Sequence, residues 1–272
     1  MSSVEQICVI QLPKEVDVFH YHRMQYSSVL HQGQRSKILL ARSKIIPDKK
    51  FAVKQMPLLS DEDRDRFSRE MWLMKLASDI RGVVTLLSRP VFCGPTGYLI
   101  MPFYDKRDLL SRTGKLSHDN WMKVFVRAAV SLRSLHKKNI YHQNLRPENI
   151  LLSTRDVAFI SDFGAACLLS EGCDKVDTWT AAPGFRGPEA DKEDGQLCPF
   201  QLDTYSLAVS MWQVLSGLCP VKNKPLDHLD NIPPQYAALL RNLLLPDPDM
   251  RWTLDKFLTE ALELHPDLSC FL

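Results

Sequence analysis

Tyr141-His142-Gln143-Asn144-Leu145-Arg146-Pro147-Glu148-Asn149-Ile150-Leu151-Leu152 reads as a polar loop that passes through a proline into a short apolar strand, and Asp162-Phe163-Gly164 follows 18 residues after Asn144. Asn144 decides most. An ionised carboxylate takes a proton and attracts a hydroxyl hydrogen with full charge, whereas a carboxamide offers only a neutral carbonyl oxygen. Asn144 therefore orients a hydroxyl but is no base.

The two motifs and the spacing between them resemble the catalytic loop H-R-D-L-x-x-x-N and the metal-binding D-F-G turn of eukaryotic protein kinases. The resemblance implies that Asn149 and Asp162 hold Mg²⁺ as hard oxygen ligands, and that Asn144 stands where the family has the Asp that accepts the substrate proton. General-base catalysis is worth ~10²–10⁴ in rate, or roughly 3 to 5 kcal/mol of barrier. Its loss cripples a kinase without silencing it, because positioning and charge stabilisation carry most of phosphoryl transfer. Two neighbours also depart from the family. Gln143 replaces the Arg that in many kinases holds a phosphorylated segment, removing the charge such a switch needs. Arg146 replaces the catalytic-loop Lys, keeping the charge on a larger planar head.

Upstream, residues 26–56 read as strand, turn, strand, strand: Ser27 to Leu30, a turn from His31 to Ser36, then Lys37 to Ala41 and Lys50 to Met56. The family's first turn is G-x-G-x-x-G. Here Gly33 alone remains, between His31 and Ser36, whose side chains restrict the approach of backbone to phosphate. Arg35, Lys37, Arg42, Lys44, Lys49 and Lys50 read as a solvated sheet face. Ala52-Val53-Lys54 resembles the V-A-I-K strand, and a Lys in an apolar strand needs an anionic partner. The following helix supplies Glu70, on the stripe of Phe67, Met71 and Met74; it opens with a capping box, Ser60 and Asp63. Val83 to Leu87 and Val91 to Cys93 read as a strand pair, Gly94 to Gly97 as a turn, and Tyr98 to Met101 as a buried strand. By resemblance Met101 backs the adenine pocket, residues 102–104 with Phe103 and Tyr104 form the hinge, and Ile38, Ala52 and Leu151 sandwich the adenine. Asp108 is either a ribose contact or an acidic residue opening a helix. From Ser117 a long amphipathic helix of core spacing runs to Lys137 and leads into the Tyr141 stretch.

Downstream, Ala182-Pro183-Gly184-Phe185-Arg186-Gly187-Pro188-Glu189 resembles the segment ending A-P-E, with Ala182 where Ser/Thr kinases commonly carry a Thr. Another enzyme could phosphorylate Thr178 and Thr180, but loop threonines usually are not modified, and position 143 offers no Arg to hold the phosphate. Asp203 resembles the buried Asp that supports the catalytic loop, and Arg251 the Arg that pairs with the A-P-E glutamate, Glu189. Both are architectural in the family.

The chain has 272 residues, 45% hydrophobic and 24% charged, with a formal net charge of +2. That suits a globular chain with a large core or two lobes, and the near balance argues against broad nucleic-acid or membrane-binding surfaces. Seven cysteines, Cys8 among them, lack C-x-x-C pairs, so neither a disulfide framework nor a zinc site is expected, and an intracellular, cytoplasmic setting follows. Glu5 and the short apolar run Ile7 to Ile10 do not make a signal peptide, and no run reaches the ~20 apolar residues of a membrane span. His20 and His22 read as one face of a strand and not as metal ligands. Residues 1–24 form an N-terminal extension that adds a strand or packs on the small lobe. Residues 25–272 form the kinase-like domain: an N-lobe of about 25–101, a hinge at 102–104 and a C-lobe of 105–272.

The fold expected is α+β and bilobal, a β-rich N-lobe with one main helix and a larger helical C-lobe. The function expected is a pseudokinase that binds ATP and Mg²⁺ and regulates or scaffolds a signalling protein partner, for instance an active kinase. Two alternatives stay open: a weakly active Ser/Thr protein kinase, and a scaffold that binds no nucleotide.

Overall fold

The computed structural model describes residues 9–170, 172–173, 175–177, 179–191, 197–221 and 224–271; Cys8 and Thr178 lie outside them. The chain divides into two units. One comprises the residues up to Asp79 with Val84–Phe103, the other Ile80–Val83 with the chain from Tyr104 onward.

The first unit is built on a six-stranded sheet. Its strands are β1 (Ile10–Leu12), β2 (Met24–Gln32), β3 (Lys37–Ser43), β4 (Lys50–Pro57), β5 (Val91–Cys93) and β6 (Thr96–Pro102), in the order β1-β5-β6-β4-β3-β2. All pairings are antiparallel except β1 with β5, where Gln11 opposes Phe92. Successive side chains in a strand point to opposite faces, and the registers sort them cleanly. Leu39, Ala41, Val53 and Ile100 gather with Met24 into one buried cluster, against which Phe19, Phe51 and Tyr98 pack. The alternate residues Ile38, Leu40, Ala52, Lys54, Leu99 and Met101 share the other face, since Ile38 opposes Lys54 and Ala52 opposes Met101.

The sheet is longer and its connections shorter than the sequence pattern suggested. Strand β2 continues through His31 and Gln32, and β6 starts at Thr96, so each turn loses residues to pairing. His20 and His22 are not on a strand: Val18–Tyr21 is a single helical turn, α1, because Asp17 caps it by accepting from Phe19 N at 2.9 Å. Val83 to Leu87 is not a strand either. Gly82 turns the chain with φ +80°, Val83 makes only an isolated bridge with Ile160, and Leu87 N donates to Ile100 O at 2.8 Å, so this run has no single partner strand. Two of the six basic residues expected to be solvated sit by aromatic rings, Lys49 over Phe51 and Lys50 over Phe103, each 5.4 Å from the centroid. Helix α2 (Asp61–Leu76) opens with the full capping box of Ser60 and Asp63 and buries Phe67, Glu70, Met71 and Met74.

The second unit is mainly helical. Helix α3 (His118–His136) is capped by Ser117 and buries Trp121, Val124, Phe125, Ala128, Leu132 and Leu135. It is followed by β7 (Ile140–Tyr141), β8 (Ile150–Leu152), β9 (Ala158–Ile160) and β10 (Cys167–Leu168), which pair as β7 with β10 and β8 with β9. Helix α4 (Pro199–Ser216) is buried on nearly every side and ends at Gly217, whose φ of +73° gives the left-handed cap that glycine takes without strain. Helices α5 (Pro234–Leu243) and α6 (Leu254–Leu264) complete the unit. No helix of the described residues is long and apolar enough to cross a membrane.

Candidate active site

In the first unit the strand geometry of β4 puts Lys54 on the face that α2 covers. Its Nζ lies 2.6 Å from Glu70 Oε1, and the two residues are only 7% and 1% exposed. A charge this deeply buried is tolerable only with an opposite charge and hydrogen bonds around it. Ile38 and Ala52 lie half-buried on the same face as Lys54, and Met101 is buried there. The turn before β3 is closed by Gly33 N donating to Ser36 O at 2.9 Å.

In the second unit the loop is built from α4 upward. Asp203, fully buried, accepts from His142 N at 2.8 Å through Oδ2 and from Gln143 N at 3.0 Å through Oδ1, while His136 Nε2 lies 3.0 Å from Oδ2. One carboxylate thus holds two successive backbone amides, and this supports the positive φ of 60° at Gln143. His142 is fixed next. Its Nδ1 accepts from Asn144 N at 3.3 Å, so its Nε2 carries the proton donated to Ser161 O at 2.9 Å, and its ring stands edge-on to Phe163 at 5.4 Å. Asn149 Nδ2 donates to Asn144 O at 2.8 Å, which orients the Asn149 amide and leaves its oxygen as the acceptor end. Ser161, one residue before Asp162, bonds Asn149 O through both its N–H and its hydroxyl.

Asp162 has left-handed backbone, φ 64° and ψ 75°, a conformation that costs free energy and persists where the surroundings enforce it. Arg146 is committed within the loop, Nη2 to Glu148 Oε1 at 2.5 Å. Asp108 accepts from Ser111 N at 2.8 Å, the bond of an acidic residue opening a short 3-10 turn, and bridges Leu151 through its backbone. Phe103 belongs to the first unit and Tyr104 to the second, where the Tyr104 ring lies tilted against Phe159 at 4.7 Å and burial pushes its phenol up to about 12.

Glu189 and Arg251 form a buried two-pronged pair at 2.6 and 2.8 Å, and Arg251 also donates to Leu245 O and Gln201 O. Gly187 is explained by that pair. A Cβ there would stand 2.7 Å from Glu189 Oε2, so an alanine would press on the carboxylate. Reasoning from sequence missed what Gln143 does instead of binding phosphate. Its Nε2 donates to Cys167 Sγ at 2.9 Å and its Oε1 accepts from Thr180 at 3.2 Å, joining the loop to β10 and to the downstream segment with no charge. That segment is anchored further by Trp179, buried against Tyr141, Ala190, Leu197 and Leu202, and by the backbone pairing of Val176 with Leu197. Nothing local in the sequence marked Cys167 as a partner.

A β-sheet unit carrying a buried Lys–Glu pair, and a helical unit whose buried Asp shapes a His-x-Asn loop beside a D-F-G turn, define a protein kinase fold. The family model described as protein kinase domain matches residues 24–262, and the chain belongs to that family. CBL-interacting serine/threonine-protein kinase 24 of Arabidopsis thaliana is 26% identical over 251 residues, 84% of this chain and 54% of that protein. CBL-interacting protein kinase 24 of Oryza sativa subsp. japonica is 27% identical over 207 residues, 70% and 45%. Serine/threonine-protein kinase PknK of Mycobacterium bovis is 29% identical over 210 residues, 75% and 18%. The chain spans about half or less of the length of these relatives.

Proposed function

We propose that this chain is a pseudokinase: it binds ATP with Mg²⁺ through Lys54, Asn149 and Asp162 and acts on a signalling protein by its shape. The observation that carries the reading is the carboxamide of Asn144 on a loop whose supports, Asp203, His142 and Asn149, are all engaged. Asn144 lacks the charge and basicity to take a hydroxyl proton, and Arg146, the neighbouring cation, is paired with Glu148. The donors suit the cofactor. Asn149 and Asp162 offer the hard oxygens Mg²⁺ prefers, and the Lys54 ammonium is a point charge for phosphate. Mg²⁺ held there would supply positive charge to offset that of the phosphates; the chain's part is to present the Asn149 and Asp162 oxygens and to hold Lys54 with Glu70. A ligand favouring one position of α2 would shift the population of that state for a partner to read. In this reading residues 102–104 are the hinge between an N-lobe of about 25–101 and a C-lobe of 105–272, and the setting is cytoplasmic.

The test is thermal unfolding of the full chain with ATP, with and without Mg²⁺. Saturation at 100 times Kd stabilises by about 2.7 kcal/mol, so a rise in Tm that requires Mg²⁺ is the expected result. No shift at millimolar ATP removes the nucleotide and leaves the scaffold reading, which the single Gly33 in the phosphate turn favours. The left-handed Asp162 and fully held His142 favour a second reading, a weak Ser/Thr kinase. That reading wins if the wild type phosphorylates peptides with turnover that Asp162→Ala abolishes. Asn144→Asp is expected to raise transfer by ~10²–10⁴, the worth of a general base.

A further inference from the structure

On the sheet face that carries Lys54, a glycine of β6 lies against a ring of α2. Strand register puts Gly97 opposite Met56 and Leu99 opposite Lys54, so Gly97 lies on the sheet face that carries Lys54. A Cβ on Gly97 would stand 2.5, 2.8 and 2.9 Å from three ring atoms of Phe67. The ring of Phe67, itself fully buried, fills the space a side chain would take. Gly97 is an extended residue of β6 without positive φ, so the glycine is required there by space and not by backbone freedom. Phe92 packs on the same ring at 5.2 Å. It belongs to β5, which strand β1 extends by pairing Gln11 opposite Phe92. Glu70 lies three residues beyond Phe67, on the same helical face.

We propose that Gly97 and Phe67 are positioning residues for the Lys54–Glu70 pair: the ring seated on Gly97 and backed by Phe92 sets the height of α2 over the sheet. A methyl on Gly97 lifts the ring, the helix moves with it, and Glu70 is drawn off Lys54. The proposal deepens the nucleotide reading, since it concerns the Lys that reading assigns to phosphate, but it is measured without nucleotide.

The experiment is trace acetylation of the full chain with acetic anhydride, read by mass spectrometry as the ratio of Lys54 to Lys106, a lysine of the other unit paired with Asp156 at 2.8 Å. Labelling of a buried group tracks how often its surroundings open. Gly97→Ala is expected to raise the ratio ~10-fold, and Gly97→Ala with Phe67→Leu, which returns the lost space, to bring it back within ~2-fold of wild type. An unchanged ratio in folded Gly97→Ala overturns the proposal, and so does failure of the second change to rescue it, because general loss of packing lowers Tm without that pattern. Should Gly97→Ala lose its circular dichroism, Phe67→Ala decides: it empties the seat, and a ratio left at the wild-type value overturns the proposal. Protection of wild-type Lys54 by ATP and Mg²⁺ is a separate arm. Its absence removes the nucleotide reading and leaves the seat standing.

Discussion

The loop that carries Asn144 and the scaffold beneath it treat charge in opposite ways. In the scaffold, Asp203 and the Glu189–Arg251 pair are buried as full charges, and each is surrounded by partners. In the loop above, Gln143 and Asn144 are neutral amides, and the remaining cation, Arg146, is cancelled by Glu148. Burying an ion costs several kcal/mol unless its geometry is nearly complete, so the scaffold charges persist because the backbone they hold repays that cost. In the function proposed above, the charges that would move a proton or grip a phosphorylated segment are the ones replaced, by Asn144 and Gln143. The means of shaping the loop are charged and paired, and the two residues that follow His142 on the loop itself carry no charge.

This contrast can be broken from either side. The largest expected effect is at Arg251: Arg251→Ala leaves Glu189 buried and unpaired and should destabilise by ~3–5 kcal/mol, read as a lower urea midpoint with unchanged slope. Asp203→Asn turns an amide donor toward backbone N–H groups and weakens charge-assisted bonds worth ~1.5–3 kcal/mol each. It should cost less than Arg251→Ala and expose residues 141–149 to hydrogen exchange; protection equal to wild type would mean that Asp203 does not shape the loop. Smaller still, Thr180→Val removes one neutral bond to Gln143, ~0.5–1.5 kcal/mol, and should speed proteolysis near residue 180 while Tm barely moves. Cleavage at the wild-type rate would show that the uncharged Gln143 link does not hold the segment.

Alkaline titration supplies the smallest effect near neutral pH. Burial pushes the Tyr104 phenol up to about 12, and burial followed by the hydrogen bond to Asp119 does the same for Tyr236. The folded state then holds these protons more tightly than the unfolded chain, whose phenols ionise near the ordinary 10.0. The stability they contribute is complete below about pH 10 and is lost as pH rises toward 12. Ultraviolet titration should show part of the tyrosine signal appearing only as the protein unfolds, and Tyr104→Phe should reduce that late fraction.

Much of the site was legible because its residues announce a partner. Lys54 in an apolar strand and Glu70 on an apolar helical stripe are each intolerable alone, so their meeting follows from cost. Glu189, Arg251 and Asp203 were legible by another route, their place in motifs that resemble the family's, and the structure puts the first two together and the third under the loop. The Ser60 and Asp63 capping box was legible because it is local. The two misreadings have different causes. Val83 to Leu87 has the composition of a strand, but pairing requires a continuous edge, and its neighbours come from separate places. Alternating His20 and His22 look like a strand face until the Asp17 cap bends the chain.

The sequence by itself determined the family, the main strands and helices from Lys37 to Leu76 and from His118 to His136, and the capping box and buried Lys–Glu pair of the first unit, because periodicity, caps and unpaired charges act over a few residues. Only the tertiary structure decided that Gln143 ties Cys167 to Thr180, that Gly187 makes room for Glu189, and that Phe67 rests on Gly97. These are contacts between residues far apart in the chain, and a missing side chain or a neutral amide has no preference that can be read until its neighbour is in place.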